Sequence, residues 1–384
     1  MEFSNSQCCN SYDYLFIRNY LVIEEQQVLQ MKKTILLLLL LSFCGGSSET
    51  VEETTPAETA TESQETVEET TPTETAKAKE IAWGKTVSQP IVYAAADVTQ
   101  EHIDVTVEWV NKAIELWGNY GPLELWIIGS SPEAAIGLDE KWCEVRAEKD
   151  PSWNTQWDCA NGDPYGSGEG WSPFYNCVTD GCSSVSTYIK EGLDYYFSAL
   201  LMSARYPGPE EEDYKKVVLH EYFHVYQHSL LSVPAIDTGD WRKSNRNVYF
   251  SNSEVQVPFL MEGGAEYMAL YWYAKQPGVN ENFLKQAMER NALGIQDYLN
   301  DGRSLRVLGF NEQLDVYAIN TWFVAYLIHN SSEETFRVDF WSQLESLGFE
   351  DAFKANFGKS SDEMIEEFNI WINQPVDVLL QIIP

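Results

Sequence analysis

Residues 220–228 read HEYFHVYQH and hold three of the five histidines in a chain of 384 residues. Whatever the chain folds into must accommodate that cluster. On a helix, His220 and His224 emerge from one face about one turn apart. Two imidazole nitrogens so placed can reach a single Zn²⁺ at about 2.0–2.1 Å. Glu221, beside the first histidine, is positioned to take a proton from a water activated by such an ion. The bland reading is two core histidines satisfied by their neighbours on an apolar helix. His228 is a poor third ligand. It lies about 12 Å from His220 along continuous helix, and Val225, Tyr226 and Gln227 between it and His224 carry no break. It suits a wall of the site, a neighbour of the ligands or plain surface.

A third ligand is available in FLMEGGAEYMALYWYAK (259–275), a second predicted helix. Glu262 offers a carboxylate, and Gly263 and Gly264 allow this helix to pack close against the first. Glu266, one turn later, can accept the outer N–H of a ligating histidine and fix its tautomer. The competing reading of Glu262 is an acid at the positive end of a helix dipole.

Composition narrows the setting. The chain is 44% hydrophobic, with 13 Trp and 21 Tyr, enough for a sizeable core. Its net charge is −34, which leaves little scope for a basic face, so nucleic acid is not an expected partner. The first 80 residues read as something other than fold. MKKTILLLLLLSFCGG opens at Met31 with two lysines and a short apolar run, the pattern of a secretory leader, too short to span a bilayer. Leu-Ser-Phe-Cys at its end resembles a bacterial lipobox, which makes Cys44 the lipidation candidate. Residues 1–30 then lie upstream of a more natural start at Met31. TVEETTPAET at 50–59 returns as TVEETTPTET at 66–75, and 47–80 holds ten glutamates and almost no large apolar residue. Such a segment buries too little to offset its ordering entropy, so 45–80 reads as an extended acidic tether.

Cys143, Cys159, Cys177 and Cys182 cluster within a stretch rich in Gly, Pro, Asn, Asp and Trp. An exported chain makes them two disulfides on a loop-rich excursion over 139–185. Closure distance favours Cys143–Cys159 with Cys177–Cys182, and a structural zinc site is the alternative. Elsewhere, helical spacing marks 97–118, and LELWIIG at 123–129 reads as a strand. The stretch 193–203 fits strand or helix and is read as a strand. Helices are predicted from 210 and near 281–299, 315–329, 334–346, 349–357 and 361–380, with a loop over 234–257.

The arrangement resembles the gluzincin branch of zinc peptidases, in which the third ligand is the Glu of a downstream Glu-x-x-x-Asp/Glu pattern. Met261–Tyr267 is similar to the Asn-Glu-Gly-Phe-Ala-x-Tyr segment around that ligand in the aminopeptidase clan, departing from it at Met261 and Gly264. The 37 residues between His224 and Glu262 exceed the usual gap of that branch, which makes 234–257 an insertion. DVYAINTWFVAYLI (315–328) and the stretch 340–372 resemble the C-terminal helices of bacterial peptidase-MA-like domains. The resemblance, over 210–372, implies an α+β, zincin-like fold: a small N-terminal α/β part at 81–209 carrying the cysteine-rich excursion, and a mainly helical part at 210–384. It implies one Zn²⁺ on His220, His224 and Glu262, Glu221 as base, and Tyr317 as donor to the oxyanion. The substrate is then a peptide or protein, cleaved by an exported enzyme held to the bacterial envelope by its lipid. The aminopeptidase stretch that binds a free substrate amine is absent, which tells against exopeptidase action. A different class of reading is an envelope binding or scaffold lipoprotein that keeps such a fold without turnover.

Overall fold

A computed structural model describes residues 84–149, 173–180, 187–191, 196–203, 211–230, 259–308 and 314–384. In chain order the elements are β1 (Gly84–Lys85), β2 (Ile91–Ala94), α1 (Gln100–Trp117), β3 (Tyr120–Gly121), β4 (Leu123–Ile128), α2 (Pro132–Lys149), α3 (Pro173–Asp180), β5 (Thr187–Glu191), β6 (Tyr196–Ser203), α4 (Glu212–Ser229), α5 (Phe259–Tyr273), α6 (Phe283–Asn291), α7 (Ile295–Asp301), α8 (Val316–Asn330), α9 (Trp341–Leu347), α10 (Phe349–Phe357), α11 (Ser361–Trp371) and α12 (Val376–Leu379). The fold is mostly helical around a small four-stranded sheet, with β1 and β3 forming a separate antiparallel pair. The leader, Cys44 and the tether lie outside the described residues. Among the described residues no helix is long and apolar enough to cross a membrane.

The sheet runs β2-β4-β6-β5; β2, β4 and β6 are parallel, and β5 is antiparallel at the edge. Every residue of β4 is buried, as a strand covered on both faces requires. Its side chains divide by the two-residue period. Leu123, Leu125 and Ile127 face a core shared with α1, α4, α5 and α8, whereas Trp126 and Ile128 face a second core built with α2 and α3. The first core draws on residues from both sides of position 210. The strand expected at 193–203 is present as β6, an interior strand between β4 and β5.

The excursion over 139–185 is less loop-like than its composition suggests. It begins inside the last eleven residues of α2, and α3 lies within it. The face of α2 turned to the sheet carries Asp139 and Arg146 among Leu138, Trp142 and Val145, all buried, and these charges break the apolar period. Each has a partner. Arg146 Nη2 pairs with Glu124, the second residue of β4, which also accepts from Trp126 Nε1 at 3.1 Å and from Lys149 Nζ at 3.0 Å. Asp139 accepts the backbone N–H groups of Phe174 and Tyr175 at 3.0 Å each, fastening the first turn of α3. Burial outweighs those two bonds and pushes the Asp139 carboxyl up to about 7. Cys143 on α2 and Cys177 on α3 are each disulfide-bonded. Cys159 and Cys182 lie outside the described residues, and so does the pairing.

α4 is held from both sides. Toward α1, Tyr222 Oη donates to Gly118 O at 2.8 Å, the Tyr214 and Thr106 hydroxyls bond, and the Trp117 and Phe223 rings meet edge to face with centroids 5.1 Å apart. On its other side lies α5, which is itself packed between α4 and α8. The two glycines of α5 divide the work. A Cβ on Gly264 would stand 2.9 Å from Phe336 Cζ and 3.3 Å from Gln227 Nε2 of α4. A Cβ on Gly263 would stand 2.6 Å from the backbone O of Asn320 on α8. Gly263 therefore serves a close approach to α8, not the contact with α4 that the sequence suggested. Gly263→Ala should destabilise the fold by about 1–3 kcal/mol from overpacking against backbone that cannot yield, more than the gain of roughly 1 kcal/mol from replacing a helical glycine. Urea denaturation of the two proteins measures the difference, and a stabilised variant would refute the close packing.

Candidate metal centre

His220 and His224 sit mid-way along α4, 8% and 5% exposed. Two imidazoles at this depth need partners for both ring nitrogens. The outer nitrogens have them. Nδ1 of His220 lies 3.0 Å from Glu266 Oε2, and Nδ1 of His224 lies 2.7 Å from Gln227 Oε1. Glu266 is in turn held by Lys216 Nζ at 2.7 Å.

The inner nitrogens converge. His220 Nε2 and His224 Nε2 are 3.2 Å apart. Glu262 Oε2, from the first turn of α5, lies 3.4 Å from the former and 3.3 Å from the latter. Two ligands about 2.05 Å from a tetrahedral zinc stand about 3.3 Å from each other. The three edges of this triangle match that length. In the neutral rings, with both Nδ1 atoms donating outward, both Nε2 atoms present lone pairs, and the carboxylate brings further acceptors. Three acceptors so close repel unless positive charge lies between them.

The electrostatics agree. Burial opposes protonation of His220, but hydrogen bonds to Glu262 and Glu266 prevail and push it up to about 10. Burial likewise opposes protonation of His224, and the Glu262 charge raises it nonetheless. Burial would raise Glu262, yet His224 and His220 hold it well below the usual carboxylate range. Glu266 is held low in the same way, against burial, by Lys216 and His220. Among the described residues, His220, His224 and Glu262 are the group of histidine, cysteine and acidic side chains whose ligand atoms lie close enough to hold one ion.

The other expected residues take their places around this triangle. Glu221 is buried, 5% exposed, and its charge bears on both rings. The half-buried Tyr317, on the first turn of α8, brings its ring centroid to 6.4 Å from that of His220. Glu266 lies against the outer nitrogen of His220. His228 stacks behind His224, centroids 6.5 Å apart, and is buried rather than at the surface. Burial, with the neighbouring His224, pushes His228 down to about 3, so it is neutral.

Two contributors had no place in the sequence reading. Lys216 neutralises Glu266 from one turn before His220, and Gln227 holds His224 from one turn beyond it. Both are at helical spacing from the histidines on α4, which was the available signal.

No family model matches the chain, and no similar curated protein or solved structure was found.

Proposed function

We propose that this protein is a zinc-dependent hydrolase of peptide bonds with a zincin-like fold. The observation that carries the reading is the triangle of His220, His224 and Glu262, with edges of 3.2–3.4 Å and both Nδ1 atoms turned outward to Glu266 and Gln227. Two neutral imidazoles and one carboxylate are a donor set suited to Zn²⁺ that leaves a fourth position open. Zinc held there would supply Lewis-acid charge and lower the pKa of a bound water from 15.7 to about 7.

The chain's own groups do the remainder. Glu266 and Gln227 keep both imidazoles in the tautomer that faces the cluster. Glu221 accepts the proton of the attacking water and delivers it to the departing amine nitrogen, so it acts first as base and then as acid. The Tyr317 hydroxyl donates to the substrate carbonyl oxygen as that atom gains charge; one such donor contributes about 2.7–4 kcal/mol. The buried surroundings of the cluster strengthen each of these interactions. Export and a lipid anchor at Cys44 belong to the same proposal, on the leader and lipobox pattern alone.

The test is metal content and cleavage together. The purified protein should carry one zinc per chain by mass spectrometry, cut members of a peptide library, lose that activity to a chelator and regain it with zinc. A chain that takes up no stoichiometric metal fits the scaffold reading instead.

A further inference from the structure

We propose that Gln227 is a positioning residue: it locks the His224 ring with its proton on Nδ1 and, through the same amide, sets α5 and its Glu262 in register with His220 and His224 of α4. The inference rests on reading the cluster as a metal site.

The orientation of the amide is fixed by its partners. Gln227 is wholly buried. One end of the amide lies 3.0 Å from the backbone oxygen of Met261, which can only accept. That end is therefore the NH₂ group. The other end, the carbonyl oxygen, then lies 2.7 Å from His224 Nδ1. An amide oxygen can only accept, so Nδ1 carries the hydrogen. A neutral imidazole has one N–H. Nε2 is left with its lone pair, aimed at His220 Nε2 and Glu262 Oε2.

The other end of the amide fixes the second helix. Met261 directly precedes Glu262, so the bond to its carbonyl holds the turn from which the carboxylate projects. Gly264 keeps space for this bond, since a Cβ there would crowd Gln227 Nε2. His220 is tied to the same helix by a different route, through Glu266. His220 and His224 are thus each referred to α5 by a separate link: one ends on a carboxylate, the other on a backbone carbonyl. A single side chain therefore sets both the tautomer of one ligand and the distance to another.

Two substitutions separate this role from plain core filling. Gln227→Met keeps the volume and removes both hydrogen bonds. Gln227→Glu keeps an acceptor for His224 Nδ1–H and loses the donor to Met261. Zinc affinity is read by chelator competition, and melting is read on the metal-free proteins. Gln227→Met should weaken zinc binding about 10–100-fold while melting close to wild type. Gln227→Glu should recover most of that affinity and melt lower than Gln227→Met, because its buried carboxylate faces a carbonyl. The low-field imidazole N–H resonance of His224 in the zinc-loaded protein should persist in wild type and Gln227→Glu and broaden or vanish in Gln227→Met. Core filling alone predicts one order of the variants in both affinity and melting. The proposal is overturned if wild type binds zinc and Gln227→Met binds it within twofold, or if Gln227→Glu binds no better than Gln227→Met. A wild type that takes up no zinc overturns the metal reading itself, and the positioning role falls with it.

Discussion

Glu221→Gln is expected to bind one zinc per chain and to hydrolyse peptides about 10²–10⁴-fold more slowly than wild type, the range for loss of a positioned general base. Glutamine matches glutamate in size and shape, so the packing of a residue only 5% exposed on a fully packed helix is kept. It cannot accept a proton at neutral pH. Glu221 is not among the three residues whose ligand atoms converge, so the metal should stay. Its negative charge does favour positive charge on both histidines. Removing it therefore weakens zinc binding somewhat, by about tenfold at most. The measurements are metal stoichiometry after dialysis and kcat/KM on a cleaved library peptide. Undiminished kcat/KM removes Glu221 from the role of base. Loss of the metal together with turnover makes it a ligand, and the triangle of Glu262 with the histidines would then need another explanation.

The legible part of the site was the part that repeats a short spacing. His220, Glu221 and His224 follow from one turn of helix, and the structure supplies that helix as α4. Glu262 and Glu266 came from a pattern on a second helix, and both side chains do turn toward the histidines. What could not be read were the links that depend on where two helices meet. Gln227 looks like one more polar residue in HVYQH until Met261 O is seen 3.0 Å away, and nothing in the order of residues announces that distance. Gly263 was assigned the wrong neighbour for the same reason: its helix touches two others, and the sequence does not say which side the glycine faces. The fold shows a parallel pattern. Helical spacing of apolar residues found α1, and α4, α5 and α8 lie where helices were expected. The same spacing missed α2, whose inward face carries Asp139 and Arg146, charges that only the facing Glu124 and the N–H groups of α3 render harmless. The long helices expected at 281–299 and 361–380 each divide. The first breaks at the 3₁₀ turn Ala292–Gly294, and the second stops before Pro375, whose ring cannot continue it.

Replacing Glu262 and replacing His228 should give opposite results for zinc, although both side chains lie beside His224. Glu262→Gln swaps a charged ligand for a neutral one of the same shape. The variant should lose zinc affinity by at least 100-fold, since the carboxylate supplies the only negative charge in the triangle and an amide oxygen is a far weaker zinc donor. His228→Asn or His228→Gln should bind zinc within a few-fold of wild type. The ring stacks 6.5 Å behind His224, centroid to centroid. Its Nδ1 is buried without a hydrogen-bond partner, so this residue already carries an unmet polar group, and its loss costs little there. The two variants also differ in the metal-free state. In wild type without metal, Glu262 raises the proton affinity of both His220 and His224, and they in turn hold it as the anion. The folded-state value for His220 lies above its unfolded value, so this stabilisation is complete below about pH 6.5 and is lost as pH rises toward 10. Glu262→Gln should remove much of that dependence, making metal-free wild type and variant differ most between about pH 4.5 and 6.5, and less both in stronger acid, where Glu262 takes up a proton, and in base. His228→Asn should leave it in place, because His228 is neutral across the range. Chelator competition and thermal melts at several pH values read both effects. If His228→Asn releases the metal and Glu262→Gln keeps it, the third ligand has been assigned to the wrong helix.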